Sequence, residues 1–203
     1  MAKVIKFPIS PPEKLGLKKA RKRKNPDPED LGQLNLFNQI VAEPRVLKFS
    51  ERSGFFEQAL EMDERGDASA ENLYLKAIEA GESVANAYCN LGILMNAKGE
   101  HAKAVDYLSR CLREHPRHYE AHYNLGNLYA ELGNFALSKM HYEVSTEIEP
   151  TFPNGYYNLA LVLISMHEYD LASKAILRYI TLSPGSDHTV AHDLLKTLKT
   201  LGA

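Results

Sequence analysis

The sequence predicts an all-α fold, a solenoid of helix–turn–helix pairs with a C-terminal capping helix and a disordered N-terminal tail. Three observations predict it. Apolar and small residues recur at a constant step across 85–186, as the equal spacing of Leu91, Leu125 and Leu159 illustrates. From about residue 52 the chain is rich in alanine, leucine, tyrosine, glutamate and lysine, with no proline between Pro44 and Pro116, which favours helix. Residues 1–49 instead hold six of the ten prolines and too little apolar surface to fold alone.

The composition is typical of a globular protein, with 44% hydrophobic and 25% charged residues among 203. The net charge of −2 conceals a basic segment, because residues 1–49 carry +6 and residues 50–203 carry −8. The longest apolar run, 159–166, is too short to span a bilayer, and no secretory signal precedes it. We therefore expect a cytoplasmic protein, or a nuclear one in a eukaryote. Two cysteines, Cys89 and Cys111, are too few for a disulfide scaffold or a cysteine-based zinc site, so no metal or cofactor is predicted.

Residues 1–50 are predicted to form a disordered, basic, proline-rich tail with a short apolar motif. Its basic run could contact the phosphates of a nucleic acid or act as a nuclear import signal, and the alternative is a solvated tail. The residues of the run are Lys18, Lys19, Arg21, Lys22, Arg23 and Lys24.

The apolar motif follows the basic run at residues 33–37. It resembles the short peptide by which bacterial replication and repair proteins bind the DNA sliding clamp, with Asn35 in place of the usual serine or aspartate. The resemblance implies a DNA-associated accessory protein that binds the clamp through this motif. The competing interpretation is that the motif caps the first repeat. The four matching residues are Gln33, Leu34, Leu36 and Phe37.

Three segments, 85–118, 119–152 and 153–186, follow one another directly and align without gaps. A weaker unit is predicted at about 52–84, and a capping helix at 187–201. The matching positions are Tyr88, His122 and Tyr156; Leu91-Gly92, Leu125-Gly126 and Leu159-Ala160; Met95, Tyr129 and Leu163; Ala104, Ser138 and Ala172; Leu108, Tyr142 and Ile176; and Pro116, Pro150 and Pro184.

The recurring residues predict two helices in each unit. The small residues Gly92, Gly126 and Ala160 allow the two helices of a unit to approach closely, so that large side chains pack across them. Gly99 and Gly133 mark turns, and the prolines end the second helices. Since one helix pair cannot cover its own apolar face, the pairs must stack.

This pattern resembles the tetratricopeptide repeat, with an aromatic residue, Leu-Gly, tyrosine, alanine, another aromatic and proline at these spacings. The resemblance covers residues 52–186, and the family's repeat length of about 34 residues is the step found here. It implies a right-handed α-solenoid that acts as a non-enzymatic protein-interaction adaptor or scaffold for partner proteins.

Asparagine recurs at Asn90, Asn124 and Asn158, in the first helix of each unit. An amide both donates and accepts, so a row of amides on a concave face could bind the backbone of an extended peptide. Members of the family with such a row bind peptides in this way, which implies the same role here. The alternative is that the asparagines bond the backbone of the neighbouring repeat and serve stacking. Residues expected to share the surface are Asn86, Asn127, Asn154, Tyr123 and Tyr157.

Other sites are not favoured by the sequence. A clamp for a C-terminal carboxylate is rejected because Glu120 stands where a basic residue would be required. No catalytic arrangement is apparent, and we predict that the chain is not an enzyme. Cys111 is expected to be inert core. The histidines spaced four apart are expected to be solvated at helix starts, and they are His118 with His122 and His188 with His192.

Overall fold

The computed structural model describes residues 54–184 and 188–201, and all regular secondary structure in these ranges is α-helical. The described residues form two compact units, 54–83 and 84–201, which we treat separately. The helices are α1 Phe55–Glu64, α2 Ser69–Glu79, α3 Val84–Ala97, α4 His101–Glu114, α5 Tyr119–Glu131, α6 Phe135–Ile148, α7 Pro153–Ser165, α8 Tyr169–Leu182 and α9 Thr189–Leu201.

The first unit is a helical hairpin of α1 and α2. The rings of Phe56 and Tyr74 are both fully buried, with centroids 6.0 Å apart, and the Tyr74 hydroxyl donates to Asp63 at 3.0 Å. The backbone N–H of Phe56 donates to the Glu82 carboxylate at 3.2 Å, which satisfies a free amide at the start of α1. Gly54 makes room for this carboxylate, because an added Cβ would lie 2.6 Å from it.

The second unit stacks three helix pairs, α3/α4, α5/α6 and α7/α8, with each pair packed on the next. The predicted close approach within a pair is confirmed. A Cβ added at Gly92 would lie 2.6 Å from Leu108, and one added at Gly126 would lie 2.6 Å from the Tyr142 ring. Ser138, which replaces the usual alanine, keeps its hydroxyl satisfied by donating to the Gly126 carbonyl at 2.7 Å.

The second helices end where the sequence predicts. Each stops two residues before its proline, because the residue preceding a proline is driven out of the helical region. His115, Glu149 and Ser183 occupy this place, with φ between −141° and −125°.

The turn between the two helices of a pair uses a left-handed residue. Gly99 and Gly133 adopt φ of +75° and +73°, which glycine does without strain because it has no Cβ. One repeat further on, the same place is held by His167, at φ +62°. The sequence pattern did not predict a non-glycine residue in this conformation.

The C-terminal helix α9 packs against α8 and buries Ala191, Leu195 and Leu198 in the same core as α7 and α8, which confirms the predicted capping helix. None of the described helices is both long and apolar enough to cross a membrane. The predicted tail, residues 1–50, lies outside the described residues, together with its basic run and its clamp-like motif.

Candidate functional site

The three asparagines that recur once per repeat lie on α3, α5 and α7, the first helices of the three stacked pairs. Asn90, Asn124 and Asn158 are 0%, 2% and 4% exposed. We expected these side chains to be exposed in a groove, and this expectation is wrong because they are buried. Peptide binding by the row stays a prediction.

The row connects consecutive repeats. The Asn124 amide donates to Cys89 Sγ at 3.6 Å, and the Asn158 amide donates to the Tyr123 hydroxyl at 3.0 Å. Cys89 and Tyr123 are equivalent residues one repeat apart, so the two bonds are the same contact made twice. The alternative interpretation, that the asparagines bond the neighbouring repeat, has this support, although the acceptors are side chains rather than the backbone.

Asn127 extends the contact between the α5/α6 pair and the α7/α8 pair. Its amide oxygen accepts from Asn158 at 2.9 Å and from the Tyr142 hydroxyl at 2.6 Å. Burial raises the pKa of Tyr123 to about 12, so its hydroxyl stays protonated at neutral pH. The Asn158 amide is thus held by two acceptors, while its buried oxygen Oδ1 has no hydrogen-bond donor among the described residues.

The aromatic residues expected on the binding surface are core residues. Tyr123 is fully buried against Phe152, with ring centroids 4.9 Å apart, and Tyr157 is 7% exposed and packs on Tyr179 at 5.0 Å. Their surface placement was wrong because aromatic neighbours come from elsewhere in the fold, from the loop between α6 and α7 for Tyr123 and from α8 for Tyr157, which a single-helix pattern does not show.

Three of the predicted surface residues are partly exposed: Asn86 on α3, Asn127 on α5 and Asn154 on α7. Asn86 and Asn154 lie four residues before Asn90 and Asn158, on the same face of their helices. This face therefore presents amides to its surroundings beside the buried row.

A second cluster brings Cys89, Cys111 and His118 together, with ligand atoms all within 4.8 Å of one another. The count of cysteines had excluded a cysteine-based zinc site, but the structure adds a histidine to the two thiols. His118 Nε2 lies 2.9 Å from Asn86 Oδ1, and His118 Nδ1 lies 3.3 Å from a Glu120 oxygen. These residues could hold a soft metal ion.

The charges in this cluster depend on one another. A hydrogen bond from Cys89, supported by His118, lowers the pKa of Cys111, whereas the bond to Cys111 and burial raise the pKa of Cys89. Burial opposes a charge on His118, but Cys111 and Glu120 outweigh it and raise its pKa. The cluster therefore favours a thiolate on Cys111, shared with the Cys89 thiol.

The two predicted histidine pairs differ in the structure. His118 is 6% exposed rather than solvated, and it joins the cysteines. His122 instead faces His141, with 3.1 Å between their Nδ1 atoms, and burial lowers the pKa of both rings, that of His141 to about 4. His188 and His192 do approach one another, with ring centroids 6.4 Å apart.

Comparison with protein-family models identifies repeats in two segments of the chain, and comparison with known proteins finds relatives that share part of it. Two profiles described as tetratricopeptide repeat match residues 95–139 and 153–186. A UDP-N-acetylglucosamine–peptide N-acetylglucosaminyltransferase of Giardia intestinalis is 26% identical over 98 residues, 48% of this chain and 7% of that protein. The human protein O-mannosyl-transferase TMTC3 is 26% identical over 142 residues, 69% of this chain and 16% of that protein.

The chain thus spans less than a fifth of the length of these relatives. Their names describe glycosyltransferases, and that activity belongs to the whole proteins. The prediction that this chain is not an enzyme stays a prediction.

Solved structures resemble the fold. MamA aligns with a TM-score of 0.63 at 21% identity over 73% of this chain and 80% of that one. The first TPR of Spaghetti (RPAP3), bound to the HSP90 peptide SRMEEVD, gives 0.54 at 17% identity over 59% and 94%. The Sgt2 TPR domain from Aspergillus fumigatus gives 0.53 at 20% over 58% and 78%. The chain thus contains two segments that match the tetratricopeptide repeat, and its stacked helix pairs share the fold of these structural neighbours.

Proposed function

We propose that this chain is a protein-interaction adaptor that holds an extended segment of a partner protein along α3, α5 and α7. A repeat scaffold by itself fixes no function, so the proposal depends on the side chains of this face. One structural neighbour is a TPR domain bound to a peptide, which supports a peptide as the kind of ligand.

The observation that carries the proposal is the set of partly exposed amides at Asn86, Asn127 and Asn154, one on each first helix. An extended chain offers alternating N–H and C=O groups, and an amide can satisfy either. Successive repeats would then contact successive stretches of one backbone, with little dependence on the ligand's sequence.

The buried row supports this face from below. Asn124 and Asn158 use their N–H groups to bond the preceding repeat. No donor among the described residues reaches the Asn158 oxygen. A small local opening would let this acceptor bind a ligand N–H. Stacking and binding are therefore compatible roles for the row.

The test begins with a displayed library of unstructured peptides panned on the immobilised full chain. The affinity of the enriched peptides is then measured by fluorescence anisotropy. We expect the triple variant Asn86→Ala, Asn127→Ala, Asn154→Ala to weaken binding at least about tenfold, because each lost hydrogen bond contributes about 0.5–1.5 kcal/mol.

A matched control removes three exposed side chains of the second helices, by Arg113→Ala, Glu147→Ala and Lys174→Ala. This variant should bind as the wild type does. Thermal melts of both variants show whether folding is preserved, which matters because Asn127 also bonds Tyr142. Failure to enrich any peptide, or equal losses in the two triple variants, would contradict the proposal.

A further inference from the structure

We propose that Cys89, Cys111 and His118 bind a zinc ion. Their ligand atoms lie within 4.8 Å of one another, and all three side chains are buried. A tetrahedral zinc ion with bonds of about 2.3 Å to sulfur and about 2.0 Å to nitrogen separates its ligand atoms by roughly 3.5–3.8 Å. Closing the cluster on the ion therefore requires the distances between ligand atoms to shorten by at most about 1.3 Å.

Three packed elements hold the ligands. Cys89 is on α3, Cys111 is on α4, and His118 is the residue that caps the start of α5. Both cysteines are fully buried in the core shared by these helices. The donors are therefore brought together by folding itself, and little side-chain freedom remains to be lost on binding.

The surroundings of His118 set its tautomer. An amide oxygen only accepts hydrogen bonds, so Asn86 Oδ1, 2.9 Å from Nε2, places the proton on that nitrogen. In the neutral ring Nδ1 then keeps its lone pair, which accepts from the Ala121 N–H at 3.2 Å. Metal-ligating histidines commonly donate their other N–H to such an acceptor. Zinc would replace the long bond to Ala121.

The surroundings of the two sulfur atoms also favour metal binding. The Asn124 amide, 3.6 Å from Cys89 Sγ, donates toward the sulfur and stabilises charge there. The ligand form of cysteine is the thiolate, so zinc binding displaces the protons of both cysteines. The balance is Zn²⁺ with two thiols giving a dithiolate complex and two released protons.

Glu120 is our candidate for the fourth ligand. Its oxygen lies 3.3 Å from His118 Nδ1, close to the roughly 3.4 Å that separates nitrogen and oxygen ligands on one tetrahedral zinc. The Glu120 side chain is 15% exposed, against 6% for His118.

The site occurs in one repeat layer. In the next repeat, the places of Cys89, Cys111 and His118 are taken by Tyr123, Ser145 and Phe152. Ser145 is fully buried there and donates to the Tyr119 carbonyl at 3.0 Å. The fold thus accepts serine at the Cys111 position, which makes Cys111→Ser a variant that should fold.

The experiment uses the full chain, reduced and freed of metal by a chelator, and titrates Co²⁺ followed by Zn²⁺. We expect one Co²⁺ per chain, with the visible bands of a tetrahedral ion and a thiolate charge-transfer band, both abolished by one equivalent of Zn²⁺. Zinc affinity is then measured by competition with a chromogenic chelator.

Cys89→Ser, Cys111→Ser and His118→Gln should each weaken zinc binding more than about a hundredfold, since removing even an outer partner costs 10–100-fold. Asn86→Ala should weaken it about tenfold or more. His122→Gln, one helical turn along α5 and outside the cluster, should bind as tightly as the wild type. Circular dichroism verifies that each variant is folded.

The proposal is overturned if the folded wild type binds neither Co²⁺ nor Zn²⁺. It is also overturned if folded Cys111→Ser retains wild-type zinc affinity, or if the reduced chain takes up only Cu⁺. Unchanged affinity in Glu120→Gln would remove Glu120 from the ligand set.

Discussion

The two layers between consecutive helix pairs of the second unit share a backbone and differ in chemistry. In both layers an asparagine donates to the residue 35 places earlier in the chain, Asn124 to Cys89 in the first and Asn158 to Tyr123 in the second. The repeat therefore reproduces the geometry. What surrounds each contact is set by the residues that the repeat pattern leaves variable.

The second layer is an aromatic cluster. Phe152 lies 5.3 Å from the Tyr119 ring and 4.9 Å from the Tyr123 ring, measured between centroids. At the equivalent place the first layer has His118, beside two thiols instead of two phenols. The comparison shows that one scaffold position can serve apolar packing in one repeat and polar chemistry in the next.

The largest expected effect is on the packing of the aromatic layer. Phe152→Ala should lower the free energy of unfolding by about 3–5 kcal/mol, because it empties a buried site between two rings. Its counterpart His118→Ala should cost about 1–2 kcal/mol, mainly through lost hydrogen bonds. Urea unfolding followed by circular dichroism measures both. Equal costs would mean that the two layers do not differ in how they are stabilised.

Zinc should stabilise the protein through the layer that holds the thiols and not through the aromatic layer. At free zinc a hundredfold above the dissociation constant, the free energy of unfolding should rise by about 2.7 kcal/mol. Cys111→Ser should lose this increment, and Asn158→Ala, which disturbs the second layer, should keep it. Urea titrations with and without zinc, under reducing conditions, make the comparison. An increment that persists in Cys111→Ser would place the ion elsewhere.

The features that could be predicted from the sequence are those that repeat. Gly92 and Gly126 admit the facing side chains, and the three second helices end before their prolines, because these residues act through local sterics that recur unchanged. The position of each residue within the repeat was enough to predict the helix pairs and their packing.

The cysteine–histidine cluster could not be predicted in this way. Cys89, Cys111 and His118 lie on three different elements, and their proximity arises only when α4 packs against both α3 and α5. The burial of the asparagine row was missed for the same reason, since a helical face does not show what the neighbouring repeat places over it. A signal was present in the sequence, however, because the places of Cys89 and His118 are taken in the next repeat by the aromatic residues Tyr123 and Phe152, and large apolar side chains favour the core.

The middle repeat should give the protein a sensitivity to acid. Burial lowers the pKa of His141 to about 4, so between about pH 6.5 and pH 4 the unfolded chain takes up a proton that the folded chain refuses. The stabilisation is complete above about pH 6.5 and declines below it. Because the ring is partly exposed and solvent screens it, the loss between about pH 7 and pH 5 should be at most about 1.5 kcal/mol.

The measurement is the pH dependence of urea unfolding for the wild type and for His141→Gln. Because glutamine does not titrate, the difference between the two proteins reports His141 together with its contact to His122, and it leaves out the cysteine–histidine cluster, which has pH dependences of its own. Parallel pH profiles would show that His141 titrates normally in the folded protein.

The smallest effect distinguishes the turns of the repeats. His167 adopts the left-handed conformation that Gly99 and Gly133 adopt in the other two turns, and a side chain there costs about 1 kcal/mol or more. His167→Gly should therefore stabilise the protein by up to about 1 kcal/mol, despite losing the contact between His167 and the Tyr169 hydroxyl at 2.8 Å. Gly133→Ala should destabilise it by a similar amount, because the added Cβ meets open space and only the backbone conformation is strained. Thermal melts of both variants measure these effects. His167→Ala is the control, because it removes the ring but keeps a Cβ, and so separates conformational strain from the lost hydrogen bond. A His167→Gly protein that is less stable than His167→Ala would contradict the strain argument.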